Sequence, residues 1–182
     1  MNVIKTDIEG LVIIEPRVFG DSRGYFFESY SQKDFSENVA DVKFVQDNES
    51  KSSYGVIRGL HFQKGEHAQA KLVRVVKGRV LDVAVDLRKG SPTFGKHVAT
   101  ELSEENHRQL FIPRGFAHGF SVLSDEVIFQ YKCDNLYAPQ SEGAVVWNDP
   151  DLAIDWMIPS DKVLLSDKDR KHPRLKDIID VL

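Results

Sequence analysis

Short apolar stretches, separated by Gly, Pro, Asn or Asp, recur along the whole chain. In the clearest of them, residues 79–88, the apolar residues Leu81, Val83, Val85 and Leu87 alternate with Val80, Asp82, Ala84 and Asp86. Such an alternation of two sets of side chains is typical of a β-strand. Further strands are predicted at 12–16, 25–29, 43–48, 56–62, 71–76, 95–102, 109–112, 118–122, 127–132 and 144–147. So many short strands favour a sandwich or barrel over alternating strands and helices.

Helical patterns are sparse and lie beside the predicted strands. Ser31 followed by Asp34 resembles an N-cap pair ahead of Phe35. Near the end, Pro173 opens a segment with apolar residues at helical spacing, namely Leu175, Ile178, Ile179 and Leu182. We expect both segments to be short helices packed on the surface of the strands. The predicted fold is therefore mainly β, a double-stranded β-helix or jelly-roll barrel of the cupin kind, with residues 1–182 in a single domain.

Composition and charge exclude several classes of protein. The formal charge is −4 and no basic stripe is present, which argues against a nucleic-acid partner. Cys133 is the single cysteine, so an intramolecular disulfide is excluded and a reducing compartment suits the chain. Charged residues interrupt segment 1–10, and no apolar run has the length of a signal peptide or membrane span. We therefore expect a cytoplasmic protein with no membrane partner.

Two histidine segments raise the question of a metal. Residues 112–120, with Pro113, Gly115 and His118, resemble the second cupin signature. In metal-binding cupins the first signature carries two histidines separated by one residue, and after His61 the second of these positions is Gln63. An amide oxygen is a poor ligand for zinc or iron. His67 and Glu66 could substitute, but a predicted turn separates them from His118, so we expect neither a metal nor another cofactor.

His61 differs from the other histidines in its surroundings. His97, His107 and His172 fit ordinary structural roles. His61, however, shares the apolar stretch 56–62 with Arg58, and ionisable groups that point into a barrel are costly without partners or a purpose. A regular strand would direct Arg58 and His61 to opposite faces. If both serve one site, Gly59 is predicted to host a β-bulge.

A series of motifs in a fixed order resembles the dTDP-4-dehydrorhamnose 3,5-epimerase family. The motifs are Phe19-Gly-Asp-Ser-Arg23-Gly-Tyr-Phe-Phe-Glu28, Gln46-Asp47-Asn48, Arg58-Gly-Leu-His61-Phe-Gln63, Lys71, Pro113-x-Gly-Phe-Ala-His118, Tyr131-Lys132, Tyr137, Ser141-Glu142-Gly143 and Ser166-Asp-Lys168-Asp169. Each motif alone is weak. Their joint occurrence from about residue 3 to about residue 170 makes the resemblance specific.

The resemblance implies an isomerase that inverts C3 and C5 of dTDP-4-dehydro-6-deoxy-D-glucose. Each proton beside the C4 ketone would leave one face of the sugar and return to the other. His61 would be the base, Tyr131 the acid, and Lys71 the cation that stabilises the enolate oxygen. Asp169 would orient His61, with Asp82 as a second candidate for this role. Without the family match, Tyr131 would be read as a core aromatic on the face it shares with Phe129.

The resemblance also implies a binding site for the nucleotide sugar. Arg23 and Arg58 suit the pyrophosphate, since a planar guanidinium binds two oxygens at once. Gln46 and Asn48 offer amides to base edges or sugar hydroxyls, and Tyr137 offers a ring to the thymine. The matched set is completed by Glu28, Asp47, His118, Glu142 and Lys168. Family members are homodimers in which a strand region of one subunit joins the sheet of the other, so a homodimer with nucleotide contacts across the interface is expected.

Three alternatives stay open at this point. An epimerase acting at C3 or C5 alone, or a ketoisomerase on a related sugar, would share the histidine base. A cupin that binds sugar nucleotides without catalysis belongs to another class, and it would have no use for a base and an acid on opposite faces of a sugar. A metal-dependent cupin, such as a dioxygenase or an isomerase, is the third.

Overall fold

The computed structural model describes residues 1–178, and the secondary structure of this range is mainly β. The strands are β1 (Asn2–Lys5), β2 (Val12–Glu15), β3 (Phe19–Asp21), β4 (Gly24–Phe26), β5 (Gln46–Ser53), β6 (Ile57–Gln63), β7 (Lys71–Lys77), β8 (Arg79–Asp86), β9 (His97–Ser103), β10 (Gln109–Ile112), β11 (Phe116–Val122), β12 (Glu126–Cys133) and β13 (Glu142–Ala144). The helix α1 spans Gln32–Asn38, and short 3₁₀ turns span Gly65–His67, Pro139–Ser141, Ser160–Lys162, Asp169–Lys171 and Leu175–Asp177. Among the described residues, no helix has the length and apolar character needed to cross a membrane.

Two antiparallel sheets face each other. One has six strands in the order β1-β2-β10-β7-β12-β5, and the other has five in the order β13-β6-β11-β8-β9, while β3 and β4 form a separate hairpin. The interior between the sheets is filled from both sides, with Val73 and Phe129 from the first sheet and Val80 and Phe120 from the second. This arrangement confirms the predicted jelly-roll fold of the cupin kind.

The outer faces of the sheets are covered by different parts of the chain. Helix α1 places Phe35 on the six-stranded sheet, where its ring meets that of Phe111 edge to face at a centroid distance of 5.2 Å. The helix begins as predicted, because Ser31 accepts a hydrogen bond from the backbone N–H of Asp34. The segment after β13 packs Trp156 and Leu175 on the outer face of the five-stranded sheet.

Some predicted elements differ from the structure. Strand β5 begins and ends later than the predicted stretch 43–48, and its residues are all polar. The stretch 144–147 overlaps β13 only at Ala144, although Val145 still exchanges backbone hydrogen bonds of 2.9 and 3.1 Å with Leu60. Strands β1 and β3 were not predicted. Chain stretches that are short, exposed or polar carry too little hydrophobic alternation to indicate a strand.

The helical prediction after Pro173 is confirmed only in part for the residues that the structure describes. Only a 3₁₀ turn forms there, at Leu175–Asp177, and buried Leu175 and Ile178 cover the outer side of the five-stranded sheet. Ile179 and Leu182, which belong to the same prediction, lie outside the described residues.

Gly59 hosts the predicted bulge. His61 pairs with His118 and Arg58 pairs with Phe120, so one more residue lies between the pairs on β6 than on β11. Gly59 has a φ of +130°, and a Cβ added there would lie 2.5 Å from the Cα of Gly119, so both the backbone conformation and the space require glycine. Because of the bulge, Leu60 points outward while Arg58 and His61 point to the interior face.

Candidate active site

His61 is paired with Asp169. The Nε2 atom of His61 lies 2.6 Å from Oδ1 of Asp169, whose side chain is 7% exposed, while that of His61 is 34% exposed. A carboxylate only accepts hydrogen bonds, so Nε2 of His61 carries a proton. When the imidazole is neutral, Nδ1 is therefore the nitrogen with a free lone pair, and this form presents a proton acceptor to a partner.

Asp169 is held by its own 3₁₀ turn. The hydroxyl of Ser166 donates to Oδ2 of Asp169 at 2.8 Å and accepts the backbone N–H of Asp169 at 3.0 Å. Burial alone would raise the pKa of Asp169. The hydrogen bonds from His61 and Ser166 outweigh this effect, and the pKa of Asp169 falls to about 2. The carboxylate is therefore ionised at neutral pH and able to stabilise a protonated His61.

Asp82 is not the partner of His61, and that alternative is wrong. Both carboxylate oxygens of Asp82 lie 3.0 Å from Nε2 of His118. The predicted inward alternation of Asp82 and Ala84 on β8 is confirmed, but the neighbour of Asp82 on the interior face is His118 on β11. Since His118 is also the register partner of His61, two histidine–aspartate pairs lie side by side on one sheet.

Tyr131 and Lys71 occupy the opposite sheet. Phe129 and Tyr131 share the inner face of β12, as predicted, and their ring centroids are 6.2 Å apart. Phe129 stacks on His118 across the interior at 6.1 Å. The Nζ atom of Lys71 on β7 lies 5.8 Å from the centroid of the Tyr131 ring. His61 and Tyr131 thus extend from opposite sheets toward the same interior.

Burial changes the acidity of the groups on this second sheet. It lowers the pKa of the Lys71 ammonium, although Cys133 and Asp82 partly oppose the shift. It raises the pKa of the Tyr131 phenol, which keeps this group protonated at neutral pH. Burial also raises the pKa of the Cys133 thiol to about 11, so the thiol is neutral and a weak nucleophile.

Five of the predicted binding residues form one chain of polar contacts at the rim. Gln46 donates to Asn48 at 3.0 Å, and the backbone N–H of Tyr137 donates to Gln46 at 3.2 Å. The hydroxyl of Tyr137 donates to Glu142 at 3.4 Å, and Lys168 donates to the same carboxylate oxygen. Lys168 directly precedes Asp169, so this rim leads from β5 to the histidine–aspartate pair.

Arg58 lies on the interior side of β6. Its Nε donates to the hydroxyl of Ser52 at 3.0 Å, and its guanidinium remains largely exposed. The positive charge of Arg58 lowers the pKa of Tyr131 slightly against the larger effect of burial.

Three predicted binding residues are not brought to this interior by the chain itself. Asp47 alternates with Gln46 and Asn48, so it faces outward, where it pairs with Lys132 at 2.8 Å. Arg23 lies in the β3–β4 hairpin, 88% exposed and paired with Asp21. Glu28 lines an outer groove with residues of the same hairpin. Strand alternation explains why Asp47 points away from the interior. Arg23 lies on a hairpin that projects from the two sheets, and Glu28 follows this hairpin in the chain.

His172, for which the sequence indicates an ordinary structural role, lies beside the candidate site. Its Nε2 lies 3.2 Å from the same Asp169 oxygen that His61 contacts. Asp169 and His172 are three residues apart on one turn, but no regular periodicity in the sequence indicates this contact. His97 and His107 stay outside the site, and His107 packs against the rings of Tyr25 and Phe27.

One group of side chains in the described part of the chain brings potential metal ligands together. His61, Asp169 and His172 offer ligand atoms that lie within 4.8 Å of one another. The amide of Gln63, at the position of a cupin metal ligand, donates to the backbone carbonyls of His67 and Leu136 and accepts the N–H of Ala138. Gln63 thus holds the backbone rather than an ion. Among the described residues, no group of potential ligands includes His67 or Glu66.

Comparison with known proteins agrees with this geometry. The family model described as dTDP-4-dehydrorhamnose 3,5-epimerase matches residues 5–177. A dTDP-4-dehydrorhamnose 3,5-epimerase of Shigella flexneri is 59% identical over 97% of both chains. The crystal structure of the enzyme of that name from Elizabethkingia anophelis is 58% identical, with a TM-score of 0.93 over 97% of both chains.

A further solved structure carries a ligand. It is a dTDP-6-deoxy-D-glucose-3,5-epimerase from Legionella pneumophila in complex with dTDP-4-keto-L-rhamnose, and it is 51% identical with a TM-score of 0.93, covering 96% of this chain and 93% of its own. Fold and sequence thus agree over nearly the whole chain. The chain belongs to the dTDP-4-dehydrorhamnose 3,5-epimerase family.

Proposed function

We propose that the chain is a dTDP-4-dehydrorhamnose 3,5-epimerase that inverts C3 and C5 of dTDP-4-dehydro-6-deoxy-D-glucose in dTDP-L-rhamnose biosynthesis. The observation that carries the proposal is the placement of the His61–Asp169 pair on one sheet and of Lys71 and Tyr131 on the other. A sugar ring between the sheets would meet a base on one face and an acid on the other, which is what inversion requires.

In this proposal His61 removes the proton beside the ketone. Its free Nδ1 takes the proton from C3 or C5, because Nε2 is already bonded to Asp169 at 2.6 Å. The imidazolium that forms is stabilised by the ionised carboxylate. Asp169 therefore fixes the tautomer of His61 before the reaction and balances its charge afterwards.

Lys71 supplies the charge that makes the proton removable. The electrons of the broken C–H bond move to the C4 oxygen, where negative charge accumulates. An ammonium group beside this oxygen gains interaction as the enolate forms, and more strongly in a partly desolvated interior than in water. The lowered pKa of Lys71 reports that desolvation.

Tyr131 returns a proton from the opposite sheet. Its phenol is protonated at neutral pH because burial raises its pKa. Transfer of this proton to the enolate carbon leaves the carbon with inverted configuration, since the original proton left toward His61. The Tyr131 phenolate then takes a proton from the solvent, and His61 releases its proton to the solvent. Both side chains thereby return to their starting protonation states.

The nucleotide part of the substrate is assigned to the rim and to a partner subunit. Arg58 offers its guanidinium to the pyrophosphate, and Tyr137 offers its ring to the thymine. Arg23 and Glu28 lie on or beside a hairpin whose Phe19, Tyr25 and Phe26 are 50–69% exposed. Such an apolar projection indicates a protein interface, so we propose a homodimer in which this hairpin contributes Arg23 to the partner's site.

The proposal includes no metal and no other cofactor. Proton transfer needs none, and Gln63 uses its amide to hold the backbone. We further propose one domain over 1–182 and a cytoplasmic location, which the single buried cysteine supports.

Incubation with the dTDP-4-keto sugar in heavy water tests the proposed reaction. We expect the ¹H NMR signals of both H3 and H5 to disappear while the product forms. Label at one carbon alone would identify a mono-epimerase. A chain that binds dTDP and exchanges neither proton would be a binding module, and activity lost on chelation and restored by a metal ion would identify a metal enzyme.

A further inference from the structure

We infer that His172 is a positioning residue of the base: it shares the Asp169 oxygen that orients His61, and thereby limits how strongly Asp169 holds a proton on His61. The inference rests on the proposed function, because it assigns a role in the same proton transfer. Nothing in the reaction itself requires a second histidine, so the role comes from the contacts of this chain.

The contacts place three donors on one carboxylate. His61 and His172 both direct Nε2 at Oδ1 of Asp169, at 2.6 and 3.2 Å, while Ser166 donates to Oδ2 at 2.8 Å. The two imidazole rings are nearly perpendicular, with centroids 5.5 Å apart. Each donor withdraws electron density from the carboxylate, so the oxygen that faces His61 is a weaker acceptor than it would be with one imidazole alone.

His172 is suited to act as a neutral donor. Its side chain is 10% exposed. Burial lowers the pKa of His172, with a smaller contribution from the charge of Lys168, while the hydrogen bond to Asp169 and the charge of Asp169 oppose this shift. A neutral imidazole can donate one hydrogen bond without adding a positive charge beside His61. This is the form that weakens Asp169 as an acceptor without repelling the protonated base.

The position of His172 is fixed from outside the cavity. The residue after it, Pro173, accepts a backbone hydrogen bond from Val146 at 2.8 Å, and Val145 pairs with Leu60 beside His61. His172 also lines a groove on the outer side with Phe62 and Lys168. The turn that carries His172 is thus attached to the strand that carries the base, and the ring supports Asp169 from behind.

The other charged and titratable groups near the pair are already bonded elsewhere. Lys168 and Glu142 pair with each other, and the hydroxyl of Tyr137 donates to Glu142. His118, the register partner of His61, is bonded to Asp82. A change of His172 leaves all of these contacts in place, so its effect on the base can be measured separately.

Two variants separate the role of the donor from that of the ring. His172→Phe keeps the ring and removes the N–H group, whereas His172→Gln keeps an N–H donor at nearly the reach of Nε2. With the donor removed, Asp169 stabilises the protonated base more strongly. We therefore expect the acid limb of the kcat/KM profile to move to higher pH by about 0.5–1 unit in His172→Phe.

The pH dependence distinguishes this role from a structural one. On the acid side kcat/KM of His172→Phe should be about three- to tenfold below that of the wild type, and the two should converge at alkaline pH. His172→Gln should stay close to the wild-type profile. An equal loss at every pH in His172→Phe, or a shift in His172→Gln as large as that in His172→Phe, would overturn the inference.

A second measurement does not depend on activity. The proton in the short bond between His61 and Asp169 should give a downfield ¹H NMR signal, which moves further downfield in His172→Phe and little in His172→Gln. A signal unmoved in His172→Phe would contradict the sharing of Asp169. If the wild type exchanges neither substrate proton, the proposed function fails, while this signal still tests the coupling of the two histidines.

Discussion

Two histidine–aspartate pairs have their histidines next to each other on the five-stranded sheet, and the pairs differ in exposure and in geometry. The side chains of His118 and Asp82 are 9% and 0% exposed, and both Asp82 oxygens lie 3.0 Å from Nε2 of His118. His61 is 34% exposed and contacts a single oxygen of Asp169. The same two residue types therefore form a closed pair in one place and an open pair in the other.

The difference follows from the strands that carry the partners. Asp82 lies on β8 inside the sheet, so its carboxylate is enclosed and His118 stacks on Phe129. Asp169 lies on a 3₁₀ turn outside the strands and reaches His61 from the edge of the sheet. The residue types of a histidine–aspartate pair therefore do not determine whether the histidine can act as a base. A histidine can serve as a base only where a ligand can reach its ring, and the exposure of His61 meets this condition.

Replacing the base should have the largest effect on activity. We expect His61→Ala to lower kcat by roughly 10²–10⁴, about 3–5 kcal/mol of barrier, because the variant lacks the proposed base that removes the proton from the sugar. Affinity for dTDP, measured by calorimetry, should change little. His97→Ala is the matched control, since His97 lies outside the site. Loss of dTDP binding in His61→Ala together with wild-type turnover too slow to measure would favour a binding module.

Removing one member of the His118–Asp82 pair should change stability more than activity. Asp82→Ala removes one partner of a buried pair, and the free energy of unfolding should fall by about 3–5 kcal/mol. Asp169→Ala should destabilise the protein less than Asp82→Ala does, because solvent can reach His61. It should reduce activity more than Asp82→Ala does. Chemical denaturation and turnover of both variants test this. The two pairs would not differ as described if Asp169→Ala were the more destabilised of the two.

The sequence predicts the fold well where both faces of a strand are buried. The apolar stretch 79–88 corresponds to β8, and the N-cap at Ser31 begins α1. Strand β5 was harder to place because its residues are all polar, and its half-buried Gln46 and Asn48 face the interior. A strand whose residues are all polar lacks the alternation of apolar and polar residues that indicates a strand elsewhere.

The candidate site was predicted in part. The bulge at Gly59 follows from the spacing of Arg58 and His61 and is confirmed, whereas the choice between Asp82 and Asp169 needed the strand pairing. His172 was missed because its contact depends on how a 3₁₀ turn folds back against β6. The motif predicts Asp47 as a binding residue together with Gln46 and Asn48, although strand alternation turns the Asp47 side chain outward. Motifs indicate which residues occur together, and only geometry indicates which side chains meet.

The open pair should also give a smaller, acid-dependent contribution to stability. The folded-state pKa of Asp169 is lowered to about 2, so its stabilising effect is present above the ordinary carboxyl value near 3.8 and is lost as the pH falls from there to about 2. The free energy of unfolding of the wild type should exceed that of Asp169→Asn by roughly 2 kcal/mol at pH 6, and this difference should vanish toward pH 2. The exposed Asp167→Asn is the control in denaturation measured across this range. A difference independent of pH would contradict this origin.

Isotope exchange in Tyr131→Phe tests most directly whether base and acid work from opposite sheets. With the dTDP-4-keto sugar in heavy water, ¹H NMR follows loss of H3 and H5, and the coupling constants report the configuration at each carbon. We predict that Tyr131→Phe still exchanges these protons, with His61 both removing and returning them, while inversion falls by at least tenfold relative to exchange. Equal loss of exchange and inversion, or inversion at the wild-type rate, would contradict the account.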